Sequence, residues 1–129
     1  MKTAVIGVSD WEMQCCGDPF EVGDSVSWTI SELKSVFPEV MPKDVDYYYD
    51  NHYSGDIIYR VNGIVTKIEA VYVLYEPVEN RNVPVATRVE LFEGKADGWT
   101  QHKDEYKFWA YLAHLEYESD MLVYWKKGS

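Results

Sequence analysis

Cys15 and Cys16 stand side by side and are the pair with the most obvious reactive chemistry in the 129-residue sequence. Neighbouring α-carbons lie about 3.8 Å apart across a trans peptide, below the usual disulfide window of roughly 4.4 to 6.8 Å, so the spacing predicts reduced thiols. A zinc site pairs cysteines roughly two to four residues apart and needs further ligands, for which His52, His102, His114 or a carboxylate would have to serve. A nucleophilic thiolate needs positive surroundings, yet Glu12 and Asp18 flank the pair and push a thiol pKa upward. The alternative is one cysteine packed inward and one exposed beside a tight Gly17-Asp18-Pro19 turn.

Asp44-x-Asp46-x-x-x-Asp50-x-His52 invites a cation reading but misses the calcium-loop pattern. Tyr48 stands where a third oxygen ligand belongs and Tyr49 where the turn glycine belongs, so a solvated acidic loop is expected. The sequence carries no glycine-rich phosphate loop, nucleophile elbow or His-Glu-x-x-His motif, and its three histidines are isolated. No catalytic residue, metal site or cofactor is therefore assigned.

Charge narrows the function classes further. Twelve Lys and Arg against 22 Asp and Glu give a net charge of -10, and the imbalance is N-terminal, with 11 acidic against 3 basic residues up to Tyr59. Nucleic-acid binding draws on a basic stripe, so direct DNA or RNA binding is not expected, and a basic protein partner fits better. The opening apolar run, Thr3 to Val8, is too short for a membrane span or a signal-peptide core, so the reading is a cytoplasmic, non-membrane protein.

The positioning elements read as strands. Aromatic residues make up 16% of the chain beside many Val and Ile, a β-favouring composition in which large rings fill a thin core. Lys2 to Val8 spells a first strand, and Trp11 to Pro19 a loop. Val26, Trp28 and Ile30 alternate with Ser25, Ser27 and Thr29 as a half-buried strand. Thr29-x-x-Glu32 has the form of a capping box, and Ile30, Leu33, Val36 and Phe37 recur at helical spacing before Pro38, which predicts one short helix. Residues 38–56 read as a long connection. Asn62-Gly63 between Ile57–Val61 and Ile64–Ile68 predicts a type I′ hairpin, whose second strand runs to Tyr75 and ends at Pro77. Ala70 to Leu74 is apolar on both faces, as in a central or strongly bent strand. Val85, Thr87, Val89 and Leu91 spell another strand, with Pro84 near its start. Asp104 to His114 fits either helix or strand, with Phe108 to Glu118 and Met121 to Lys126 as the strand pair. The chain is expected to be one domain, 1–129, with no internal repeat.

Two resemblances bear on this layout. Phe20-Glu-Val-Gly-Asp24-Ser-Val26 and Gly63-Ile-Val65-Thr-Lys-Ile68 resemble the strand spelling of small SH3-like or OB-like barrels. Trp11-x-x-x-Cys15-Cys16-Gly17-x-Pro19-Phe20-x-Val22-Gly23-x-x-Val26-x-Trp28 is similar to the opening of a family of uncharacterised bacterial proteins, a match that Gly63 to Pro77 continues. These resemblances imply bacterial origin and a compact β-rich domain, and they transfer no catalytic residue.

The expectation is a mainly β, single compact antiparallel barrel or barrel-like domain with one short helix, acting as a non-catalytic binding module. Its expected surface comprises Trp11, Cys15, Cys16, Gly17, Tyr47, Tyr48, Tyr49, Asp50, His52 and Tyr53, because aromatics beside charges make anchors with a polar rim. The alternatives are an acidic inhibitor or immunity-type protein that covers a basic partner, and a thiol- or metal-dependent enzyme at Cys15 and Cys16.

Overall fold

A computed structural model describes residues 2–15, 17–32, 45–50, 57–118 and 122–126. In chain order its elements are β1 (Lys2–Ser9), α1 (Asp10–Cys15), β2 (Ser25–Ser31), β3 (Tyr47–Tyr49), β4 (Ile57–Val78), β5 (Arg81–Leu91), β6 (Tyr106–Tyr117) and β7 (Leu122–Lys126). Among the described residues the seven strands form one sheet.

β4 organises that sheet because its 22 residues, rich in Ile, Val and Tyr, pair along both edges. On one edge β2 pairs from Tyr59 to Ile64 and β5 from Glu69 to Val78. On the other, β7 pairs from Ile57 to Arg60 and β6 from Ile64 to Leu74. The remaining pairings close a ring. β2 meets β3 at Ile30↔Tyr49, β3 runs parallel to β1 at Ile6↔Tyr47, and β1 pairs with β6 along its whole length. The mainly β, barrel-like architecture expected from the sequence is thus what the chain forms, with one parallel contact, β1 to β3, among the strand pairings of the described residues.

Apolar alternation fills the core. Ile6, Val8, Ile30, Val61, Val65, Ile68 and Leu115 are buried in one cluster with Phe20, Trp28, Tyr72, Phe108 and Tyr111. Phe20 meets Trp28 edge-on at 4.9 Å and Tyr111 at 6.0 Å, and Tyr111 meets Phe108 at 4.8 Å between ring centroids. Each such pair contributes about 0.5–1.5 kcal/mol beyond its buried area. A second cluster, Val71, Ala110 and Leu112, packs with Val5, Val45 and Trp109. Ala70 and Tyr72 therefore enter one cluster and Val71 the other, which explains why this stretch is apolar on both faces. Register shifts beside Val71 and Leu74 bend the strand there, as anticipated.

Several local expectations are overturned by tertiary context. Asn62-Gly63 is no hairpin: β4 runs straight through it, with Gly63 opposite Val26, and neither residue has positive φ. Glycine is needed there because β6 crosses closely, and a Cβ on Gly63 would sit 2.7 Å from the Glu116 carbonyl oxygen. The turn with positive φ at both centres is Glu79-Asn80, at 49° and 71°, joining β4 to β5 where Val78 faces Arg81. Pro77 consequently lies inside β4, opposite Asn82. Of the two readings of 104–114 the strand one holds, in β6 (Tyr106–Tyr117), whereas Tyr47-Tyr48-Tyr49 is a strand of the ring rather than part of a connection. The tip at residues 119–120 and the Met121 end of the last strand lie outside the described residues.

The helix also lies elsewhere than expected. Thr29, Ile30 and Ser31 belong to β2, and residues 33–37 lie outside the described residues. The described helix is α1, where Trp11 to Cys15 had read as loop. Its spelling is Ser9-x-x-Glu12, with Ser9 Oγ accepting the Glu12 N–H at 3.2 Å, and Asp10 and Glu12 supply acid to the first turn. The Gly17 N–H donates to the Glu12 carbonyl at 2.9 Å and closes the other end. So short a helix is not stable alone, and buried Met13 secures it.

Gly63→Ala should lower the unfolding free energy by about 1–3 kcal/mol by forcing a methyl against β6, while Asn62→Ala should stay within about 0.5 kcal/mol. Urea titration of both variants checks this, and equal, small effects would contradict the close crossing.

Candidate functional site

The end of the ring that carries α1 is built from the core outward. Buried Tyr111 extends its hydroxyl from β6 to accept the Gly98 N–H at 3.0 Å, and the same oxygen lies 2.6 Å from Thr100 Oγ1. Gly98 adopts φ +90°, and a Cβ there would lie 2.8 Å from Met13 Cβ, so only glycine lets this segment lie on α1. Gln14 completes the contact by donating from Nε2 to the Gly98 carbonyl at 2.8 Å. The consequence is two large rings in water on adjoining segments, Trp11 at 52% and Trp99 at 69% exposure.

Asp10, which precedes Trp11 in α1, lines a cavity of about 300 Å³ together with Tyr75, Asn82, His102, Lys107, Phe108 and Trp109. Asp10 Oδ1 accepts the Trp11 N–H at 2.7 Å. Burial holds its carboxyl above the ordinary value of 3.8, opposed by that N–H, by its own N–H and by the positive field of His102. Burial likewise raises Tyr75, and the charge of Asp10 adds to the rise. His102 Nδ1 accepts the Phe108 N–H at 2.8 Å, so the proton of the neutral ring sits on Nε2. Tyr75 and Trp109 form a tilted ring pair at 6.4 Å. The buried Trp109 Nε1 has no acceptor among the described residues. The cavity thus offers one carboxylate, further donors and acceptors on Tyr75, Asn82, His102 and Lys107, and an aromatic wall, the mixture found in small-ligand sites.

The residues singled out from the sequence divide among these surroundings. Trp11 and Cys15 are exposed on α1, and Gly17 closes the helix. Cys15 is disulfide-bonded, which corrects the expectation of a reduced thiol and leaves no thiolate there. Cys16, His52 and Tyr53 lie outside the described residues. Tyr48 is 8% exposed and Asp50 4%, so both are buried rather than presented to solvent, because the ring needs β3 to bridge β1 and β2. Tyr47 and Tyr49 are half-buried, packing edge-on against Tyr59 at 5.6 Å and Trp28 at 5.4 Å. Burial raises the Tyr49 hydroxyl, with the charges of Glu12 and Asp18 adding to it, so this strand end and the α1 end share one electrostatic neighbourhood.

Sequence reasoning missed the cavity. Its residues come from α1, β4, β5, the 102 region and β6, and no spacing along the chain links them. Among the described residues no group of three His, Cys, Asp or Glu is arranged to hold a metal ion, and no helix is long and apolar enough to cross a membrane. A family model described as a family of unknown function, DUF6578, matches residues 2–117. No curated protein and no solved structure matches the chain.

Tyr111→Phe should cost about 1–3 kcal/mol, because the buried Gly98 N–H loses its acceptor, and should quench or shift Trp99 emission. An unchanged unfolding midpoint would show that this hydroxyl does not hold the segment. Asp10 gives a pH signature. Its folded-state value is raised, so its contribution is complete below 3.8 and fades as pH climbs through the folded-state value. Asp10→Asn should therefore gain stability relative to the parent as pH rises from about 3 to about 6, and a difference flat across that range would contradict the burial.

Proposed function

The chain belongs to DUF6578, the family of unknown function, and we propose that it is a non-catalytic binding module that holds a basic protein partner at its α1 end. The observation that carries this reading is the paired exposure of Trp11 and Trp99 on segments tied together through Gln14 and Gly98. Large amphipathic rings left in water are costly to hydrate and serve as interface anchors. Asp18 is exposed and Asp10 and Asp97 are half-buried on α1 or on the segments next to it, within a chain of net charge -10, while Glu12 is buried. A partner with a basic rim around an apolar pocket complements that surface, and charge then speeds and orients the encounter. An inhibitor or immunity-type role, covering a basic site on another protein, is the same surface put to regulatory use.

Native mass spectra of untagged protein drawn gently from its own cells should show the mass of a second protein. Binding of that protein should weaken steeply with salt, and the Trp11→Ala, Trp99→Ala double variant should lose about tenfold or more in affinity while keeping its unfolding midpoint. Unchanged affinity in the folded double variant would rule out the tryptophan surface, and a salt-indifferent complex would rule out the basic rim.

A further inference from the structure

The cavity beside Trp11 belongs to a different scale of ligand from a protein surface. Its volume, about 300 Å³, is at the small end of ligand pockets and matches one amino-acid-sized molecule. Its polar groups are spread by sign. Asp10 supplies a carboxylate that has no ion-pair partner among the described residues and that accepts the Trp11 N–H at 2.7 Å. Lys107 supplies an ammonium that is likewise unpaired among the described residues, and His102, pinned through Nδ1 to the Phe108 N–H, keeps Nε2–H as a donor.

The apolar part of the wall is equally specific. Tyr75 and Trp109 already touch, with centroids 6.4 Å apart and planes tilted by 52°, so no third ring fits between them. A flat group can instead lie against their open faces. A ligand that is only cationic would satisfy Asp10 and face Lys107, and one that is only anionic would satisfy Lys107 and face Asp10. A molecule carrying both charges close together satisfies both, and each opposite charge removes a repulsion that the other half alone would meet.

We propose that this cavity binds a small zwitterion bearing a flat apolar group, of the α-amino-acid class, with its ammonium on Asp10, its carboxylate on Lys107 and His102, and its ring against Tyr75 and Trp109. Partial burial of Asp10 disfavours its charge in the empty cavity, and a ligand cation offsets that penalty. This site shares Asp10 with the surface proposed for a protein partner but uses neither Trp11 nor Trp99, so the tryptophan variants test that surface and Lys107→Met tests this cavity.

The test uses three probes that share one phenyl ring: L-phenylalanine, phenethylamine, which lacks the carboxylate, and 3-phenylpropanoate, which lacks the ammonium. Each is titrated into the full chain while the Trp109 Nε1–H and Phe108 N–H signals are followed by two-dimensional NMR. L-Phenylalanine should shift both signals saturably, and each half-molecule should bind about tenfold or more weakly. Asp10→Asn should weaken phenylalanine and phenethylamine about tenfold without weakening phenylpropanoate, and Lys107→Met should weaken phenylalanine and phenylpropanoate without weakening the amine. Because the two substitutions act on opposite ends of the ligand, misfolding of one leaves the other as an intact test. Tighter binding of the amine or of the acid than of phenylalanine would overturn the zwitterion assignment. No saturable shift at Trp109 with any of the three would overturn the site.

Discussion

Hydrogen bonding along both edges of β4 is the constraint on which the rest of this structure depends. A strand whose N–H and C=O groups are satisfied on both sides must find partners for its whole length, and no single strand here is long enough to serve one edge. β2 and β5 divide one edge and β6 and β7 the other. Ile64, where β2 and β6 both pair, is the place at which the ring closes across β4. Gly63 sits at that crossing, and the absence of its side chain lets the Glu116 carbonyl approach. A backbone requirement in the sheet thereby selects a residue that local turn chemistry would place in a hairpin.

The same sheet reaches outward to the α1 end through Tyr111. Its ring stands in the aromatic core beside Phe20, Phe108 and Phe92, and its hydroxyl accepts the Gly98 N–H. One side chain thus spends its apolar body on packing and its polar tip on holding the segment that carries Trp99. Gln14 and the glycine contact fasten that segment to α1, and α1 in turn carries Trp11 and Asp10. Trp11, Trp99 and the Asp10 side of the cavity are thus all tied to the same helix. Their positions follow from core packing rather than from the loop sequence itself.

Electrostatics at this end reward partnership more than isolation. Asp10 is partly withdrawn from water with no cation bound to it among the described residues, and Tyr75 is disfavoured from ionising by the same charge. Elsewhere Lys103 pairs with Glu90 at 2.7 Å, and His114 Nε2 lies in hydrogen-bond contact with Glu69 at 2.6 Å.

Period and composition determined a good deal. The two-residue alternation of Val26, Trp28 and Ile30, the apolar stretch Ala70 to Leu74 and the spacing of Val85, Thr87, Val89 and Leu91 each declare a strand, because side chains that alternate between core and solvent must alternate in polarity. Trp11 and the Gly17 turn could be marked as surface features from their types alone. Turn and cap spellings did not suffice. Asn62-Gly63 and Glu79-Asn80 both fit a turn, and Thr29-x-x-Glu32 and Ser9-x-x-Glu12 both fit a cap, yet the tertiary structure used only the second of each pair. Such local preferences are worth about a kilocalorie per mole, while the loss of a strand from a closed ring leaves whole rows of backbone groups unpaired. Only the folded ring could decide that Tyr48 and Asp50 face inward, and only it could gather Asp10, Tyr75, His102, Lys107 and Trp109 around one cavity. Their proximity is made by pairings between residues far apart in the chain, and no pattern along the sequence encodes that distance.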